Sequence, residues 1–173
     1  ALGLGKYIVD GGLTLRVCPH HPDKVLQTSE MEMALRETQT RFYALDLKNM
    51  GQNFSLDDGF NLLKLPVKEA EADGSLNYIA STYDPYDMVI RDGIYPGGRK
   101  VITFANILQH DVFPLPRILQ LVQKYGQGEM RRPVEIEFAV NFNAKEKNGT
   151  FYLLQIRPMV DMKADLAEDL NLI

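Results

Sequence analysis

The chain has 173 residues, enough for one domain or one large piece of a bigger enzyme, and on folding could bury about 70% of its extended surface. Its 45% hydrophobic and 24% charged residues exclude a disordered, collagenous or disulfide-rich chain, and a net charge of -4 gives no bulk attraction to nucleic acid or to an anionic membrane. A single cysteine, Cys18, cannot close an intrachain disulfide, and no apolar run approaches the roughly 18 residues of a membrane span, which together point to a soluble, cytoplasmic protein.

The opening ALGLGKYIVDGG lacks Met and runs almost at once into a strand pattern, the expectation for a fragment of a longer protein. Tyr7 to Val17 reads as a hairpin about an Asp10-Gly11-Gly12 turn. Ser29 followed by Glu32 has capping-box spacing and precedes MEMALRETQ, so a short helix is expected there, then a strand over Arg41 to Leu47. Gly51 to Asp58 is turn-rich, Phe60 to Leu65 reads as a strand, and KEAEADG as a short acidic helical or loop piece. A strand is expected over Leu76 to Thr82. The breakers Pro85, Gly93, Pro96, Gly97 and Gly98 make Asp84 to Gly98 mostly loop, and Val101 to Phe104 resumes as a strand.

Leu115, Ile118, Leu119 and Val122 fall on one helical face, with Pro116 suited to the first turn and Gly126 to the end. Next, VEIEFAV places Val134, Ile136, Phe138 and Val140 on one strand face and Glu135, Glu137 and Ala139 on the other. In FYLLQIRPMV the same alternation puts Phe151, Leu153, Gln155 and Arg157 on one side, and Tyr152, Leu154 and Ile156 on the other. An antiparallel register that sets Glu137 opposite Gln155 also sets Glu135 opposite Arg157 and lets the apolar faces coincide. A tight Asn148-Gly149 turn would instead pair Leu154 with Asn143 and Tyr152 with Lys145, a slip that sheets with one buried face disfavour. The longer loop NFNAKEKNG is therefore expected.

The resulting patch of Glu135, Glu137, Gln155 and Arg157 suits a magnesium-bound polyphosphate. Magnesium takes one or two oxygen ligands from protein and the rest from phosphate and water, a role open to Glu137 and Gln155. Arg157 offers a planar fork of donors that matches phosphate oxygens and stays charged. Against this stands an ordinary cross-strand ion pair between Glu135 and Arg157, contributing roughly 0.2 to 1 kcal/mol. Gln155 gains little from such a pair, and the neighbours Phe151 and Leu153 suggest a partly buried face.

IEF at Ile136 to Phe138 followed by LQIRP at Leu154 to Pro158 resembles the end of the ATP-binding domain of phosphoenolpyruvate synthases and pyruvate phosphate dikinases. The resemblance implies an α+β fold: an ATP-grasp-like subdomain with an antiparallel or mixed sheet and packed helices. Residues 1–160 would be the C-terminal portion of the nucleotide-binding domain, and 161–173 a linker or short helix toward a missing domain. It implies that Glu137 and Gln155 act at the metal and that Arg157, the candidate catalytic residue, contacts the transferring phosphates. Glu135 occupies an acidic position that the family often fills with Asp. GLGKYIVDGG also resembles the family segment G-L-G-E-x-x-V-x-G, so the resemblance brackets residues 3–160, but Lys6 stands where the family has Glu, and that acid's role does not carry over.

The implied cofactors are ATP and Mg2+. The implied partners are the N-terminal half of the ATP-grasp site, a swivelling phosphohistidine domain and a pyruvate-binding domain, with no nucleic acid and no membrane. His20, His21 and His110 lie in contexts unlike the family's phosphohistidine motif. Two alternatives stay open: a non-catalytic nucleotide-binding or interaction module, and a related dikinase with a glucan or antibiotic acceptor.

Other motifs carry less. GLGK fails the Walker and dinucleotide spacings. Cys18, His20 and His21 lack a second ligand pair at zinc spacing and read as a loop. Asp84, Asp87 and Asp92 lack calcium-loop spacing and read as solvated turn residues. Asn53-Phe54-Ser55 and Asn148-Gly149-Thr150 match the glycosylation pattern, which has no meaning in the cytosol. Arg131-Arg132 is too short for a nucleic-acid patch.

Overall fold

The computed structural model describes residues 1–5, 13–47, 61–72, 74–143 and 148–159. Lys6, the Asp10–Gly12 turn, the turn-rich 51–58 with its Asn53 sequon, and 161–173 lie outside the described residues. The protein is mixed α+β with small antiparallel sheets, and it divides into two compact units, Ala1–Pro116 and Arg117–Ile173.

In the first unit, Leu13 to Val17 carries no strand assignment. Gln27 holds this stretch instead: its Nε2 donates to the Thr14 carbonyl at 2.6 Å, and its Oε1 accepts the Arg16 N–H at 2.7 Å. Helix α1, Met31–Glu37, forms as expected, but without the capping box. Glu30 is the N-cap and makes no side-chain cap, while the Ser29 hydroxyl donates back to the Leu26 carbonyl at 2.8 Å. Ser29 sits at the end of a preceding 3-10 turn, Leu26–Thr28, which takes its side chain out of reach of the helix. Strands β1, Arg41–Leu45, and β2, Leu62–Pro66, pair antiparallel from Arg41 opposite Pro66 to Leu45 opposite Leu62. Pro66 ends the ladder, and the acidic stretch beyond it is a 3-10 turn, Val67–Glu71.

The strand expected over Leu76 to Thr82 is split. Leu76–Ile79 is a single helical turn, α2, and β3 runs from Ala80 to Asp84. Leu76, Tyr78, Ile79 and Ala80 are all buried, so this apolar run satisfies helix and strand in turn. The breaker-rich loop also contains a strand: β4, Val89–Asp92, folds back on β3 through a turn that places Met88 at φ 51. Strand β5, Arg99–Ile102, pairs on the other side, giving the order β4-β3-β5. Gly98 lets β5 start there: its φ is +65, and a Cβ would stand 2.4 Å from the Tyr83 carbonyl oxygen. A further helical turn, α3, Ala105–Leu108, packs beside α2, and Ile79, Val101, Ile102, Ala105 and Ile107 form the core around them.

Helix α4 spans Leu115–Met130 and does not stop at Gly126. Gly126 lies four residues beyond Val122 on the expected apolar face and is buried, because α4 packs at this point against Val134 and Ile156. The helix ends instead at Arg131, whose φ of 52 is the left-handed turn that stops helices. Strands β6, Val134–Asn143, and β7, Asn148–Pro158, follow as one long antiparallel hairpin. A two-stranded hairpin is marginal by itself, and α4 supplies a packing partner at the Val134 end.

Candidate functional site

The hairpin register has Glu135 opposite Arg157 and Glu137 opposite Gln155. Residues two apart on a strand share a face, so the four side chains form two adjacent rungs about 6–7 Å apart along one surface. The apolar partners on the reverse side fix this arrangement: Ile136 is opposite Ile156, and a slip of one residue would expose both.

Just beyond the second rung the register shifts, with Phe138 opposite Leu153 and Val140 opposite Phe151. Leu154 is the extra residue of a β-bulge and is exposed. The bulge corrects the uninterrupted alternation expected for β7. Phe151 and Leu153 do not flank Gln155 and Arg157; they lie across from Val140 and Phe138 on the opposite face, where the Phe138 and Phe151 rings stack at 5.2 Å. The face carrying the four polar residues is therefore open to solvent, not partly buried.

On that face Arg157 and Glu135 form an ion pair. Nε of Arg157 donates to Glu135 Oε2 at 3.0 Å, and Nη2 reaches the same oxygen at 2.9 Å. The side chains are 55% and 54% exposed, where water screens the attraction and such a pair contributes about 0–1 kcal/mol. Glu137 and Gln155 are exposed and have no side-chain partner among the described residues. Their oxygens are thus available to a ligand. Among the described residues, no group of three or more His, Cys, Asp or Glu side chains is placed to hold a metal ion. A cation at Glu137 and Gln155 would take its remaining ligands from phosphate and water, the coordination that magnesium favours.

A second polar cluster, in the first unit, was not legible from spacing. The Ala105 N–H donates to Thr103 Oγ1 at 3.3 Å, and Thr103 Oγ1 lies 2.6 Å from Ser81 Oγ. Ser81 donates its one proton to Asp92 Oδ1 at 3.0 Å, so Thr103 is the donor to Ser81. Asp92 Oδ2 is 2.9 Å from His110 Nε2. Asp92 is exposed but is not a turn residue: it lies in β4 and links the buried hydroxyls to His110 at the surface. Asp84 does serve a turn: its Oδ1 accepts the Tyr86 N–H at 2.9 Å and the Asp87 N–H at 3.4 Å. These two bonds, aided by the charge of Arg91, hold the Asp84 carboxyl below its ordinary pKa. Asp87 pairs with Arg91. Cys18 is a free, exposed thiol in a tight turn, where the His21 N–H donates to its carbonyl at 2.9 Å.

No described helix is long and apolar enough to cross a membrane. Comparisons with protein-family models, with curated proteins and with solved structures found no match to this chain.

Proposed function

We propose that this chain is the C-terminal portion of an ATP-grasp-like nucleotide-binding domain in a phosphoenolpyruvate-synthase-like phosphotransferase. In this reading β6 and β7 present Glu137 and Gln155 to a magnesium ion and Arg157 to the phosphates of ATP. The observation that supports it is the register: the two rungs are adjacent, face the same way, and leave Glu137 and Gln155 without a side-chain partner among the described residues. The bulge at Leu154 adds support, since bulges collect beside sites where a strand must re-aim its side chains.

Magnesium bound there would neutralise charge on the phosphates. Arg157 would add planar N–H donors to the oxygens on which charge develops, and its guanidinium remains charged throughout. The strands supply positioning, since a paired β-hairpin fixes the spacing of the rungs before any ligand arrives. The β-phosphoryl group would end on a histidine of another domain, with AMP released and the γ-phosphate lost to water as inorganic phosphate, and would then pass to pyruvate.

One observation favours a second reading. Arg157 is already paired with Glu135 on an open face, as in an ordinary ion pair, and a non-catalytic nucleotide-binding or interaction module would need nothing more. ATP carrying radioactive β-phosphate separates the two when it is incubated with the longer protein of which this chain would be part. Magnesium-dependent labelling that Glu137→Ala abolishes supports the phosphotransferase. A folded protein that takes up no label supports the module.

A further inference from the structure

We infer that Glu135 is a positioning residue, acting on the ligand only through Arg157 and making no contact of its own with metal or phosphate. The inference rests on the proposed nucleotide site and assigns the two rungs different tasks.

Arginine has the donors to do two things at once. Nε and Nη2 both engage Glu135 Oε2, at 3.0 and 2.9 Å. The N–H groups of Nη1 and the second N–H of Nη2 remain, and they lie in the same plane as those already engaged. A long side chain that is 55% exposed would otherwise sample many rotamers, at a cost in entropy on every binding event. The carboxylate across the strand restrains the guanidinium plane before the ligand arrives. Glu137, by contrast, has no cation partner among the described residues and faces an amide that adds a neutral oxygen to its carboxylate. Metal ligation therefore falls to the Glu137–Gln155 rung and phosphate recognition to the Glu135–Arg157 rung, with Glu135 one step removed.

A double-mutant cycle on binding of magnesium ATP to the full chain, followed by NMR, tests this. Arg157→Ala is expected to weaken binding about tenfold or more, as for loss of a charged hydrogen-bonding partner. Glu135→Ala is expected to weaken it several-fold while Arg157 is present and to have no effect in the Arg157→Ala background. Glu135→Gln, which keeps an acceptor oxygen, is expected to recover part of the loss. Hydrogen exchange at Arg157 Nε should quicken in Glu135→Ala and slow again in Glu135→Gln. An equal loss from Glu135→Ala in both backgrounds would overturn the inference, because Glu135 would then touch the ligand or its metal directly. Tighter binding by Glu135→Ala would also overturn it, showing that the carboxylate competes with phosphate. Either of those outcomes leaves the effects of Arg157→Ala and Glu137→Ala intact; if neither of these two variants altered binding, the proposed site itself would fall and the inference with it.

Discussion

A Cβ placed on Gly126 would stand 2.5 Å from Cδ1 of Ile156 and 3.2 Å from Cγ2 of Val134. The close approach of α4 to the base of the β6–β7 hairpin depends on that missing side chain. Gly126→Ala gains about 1 kcal/mol of helix propensity but forces Ile156 and Val134 to move, at about 1–3 kcal/mol. A net loss of roughly 1 kcal/mol is expected in urea unfolding. Ile156→Val removes the methyl nearest the new Cβ, so Gly126→Ala made in that background should be much less harmful. Gly128, with nothing within 4 Å of its Cβ position, provides the control: Gly128→Ala should stabilise by about 0.5–1 kcal/mol.

The chain of hydroxyls from Thr103 through Ser81 to Asp92 is buried at its centre, where Ser81 is 0% exposed. Ser81→Ala leaves the Thr103 hydroxyl without its acceptor and takes one donor from Asp92. The expected cost is about 1–3 kcal/mol. Because both members belong to one chain, the double variant Ser81→Ala, Thr103→Val should cost less than the sum of the single variants, measurable by denaturant unfolding. Additive costs would mean that the hydroxyls act independently.

Asp84 gives stability an acid-side dependence of definite sign. The N–H groups of Tyr86 and Asp87, with Arg91 nearby, hold its folded pKa below the ordinary 3.8. A depressed carboxylate stabilises the fold above the ordinary value, and that contribution is lost as pH falls through 3.8 and then through the lower folded value. Asp84→Asn keeps a side-chain oxygen for the turn but cannot titrate. The fall in melting temperature between about pH 5.5 and pH 2.5 should therefore be smaller in Asp84→Asn than in the parent chain. Equal falls would place the acid sensitivity elsewhere.

The candidate site could be located in the sequence because alternation in VEIEFAV admits few registers once one face is apolar. Ile136 and Ile156 had to meet, and Glu135 with Arg157 and Glu137 with Gln155 followed. The bulge was hidden because Leu153 and Leu154 are both apolar, so the pattern cannot say which is the extra residue. Its consequence was the wrong environment for the face, judged partly buried from Phe151 and Leu153 when these lie on the other side. Gly126 misled for a related reason: a helix-ending glycine and a helix-packing glycine look alike until the partner side chain is known. The turn at Leu76–Ile79 and strand β4 escaped because each is only four residues long, too short for a period to declare itself. The Ser81, Asp92, Thr103 and His110 cluster joins residues that only the β4-β3-β5 order brings together.

The most direct test of the proposed nucleotide site is NMR of the chain titrated with ATP carrying manganese in place of magnesium. Paramagnetic broadening should appear first at Glu137 and at the Gln155 side-chain amide, recede with excess magnesium, and disappear in Glu137→Ala. Broadening no stronger there than at the carboxylates Asp84 and Asp87, or unchanged in Glu137→Ala, would contradict a metal-nucleotide site on this hairpin.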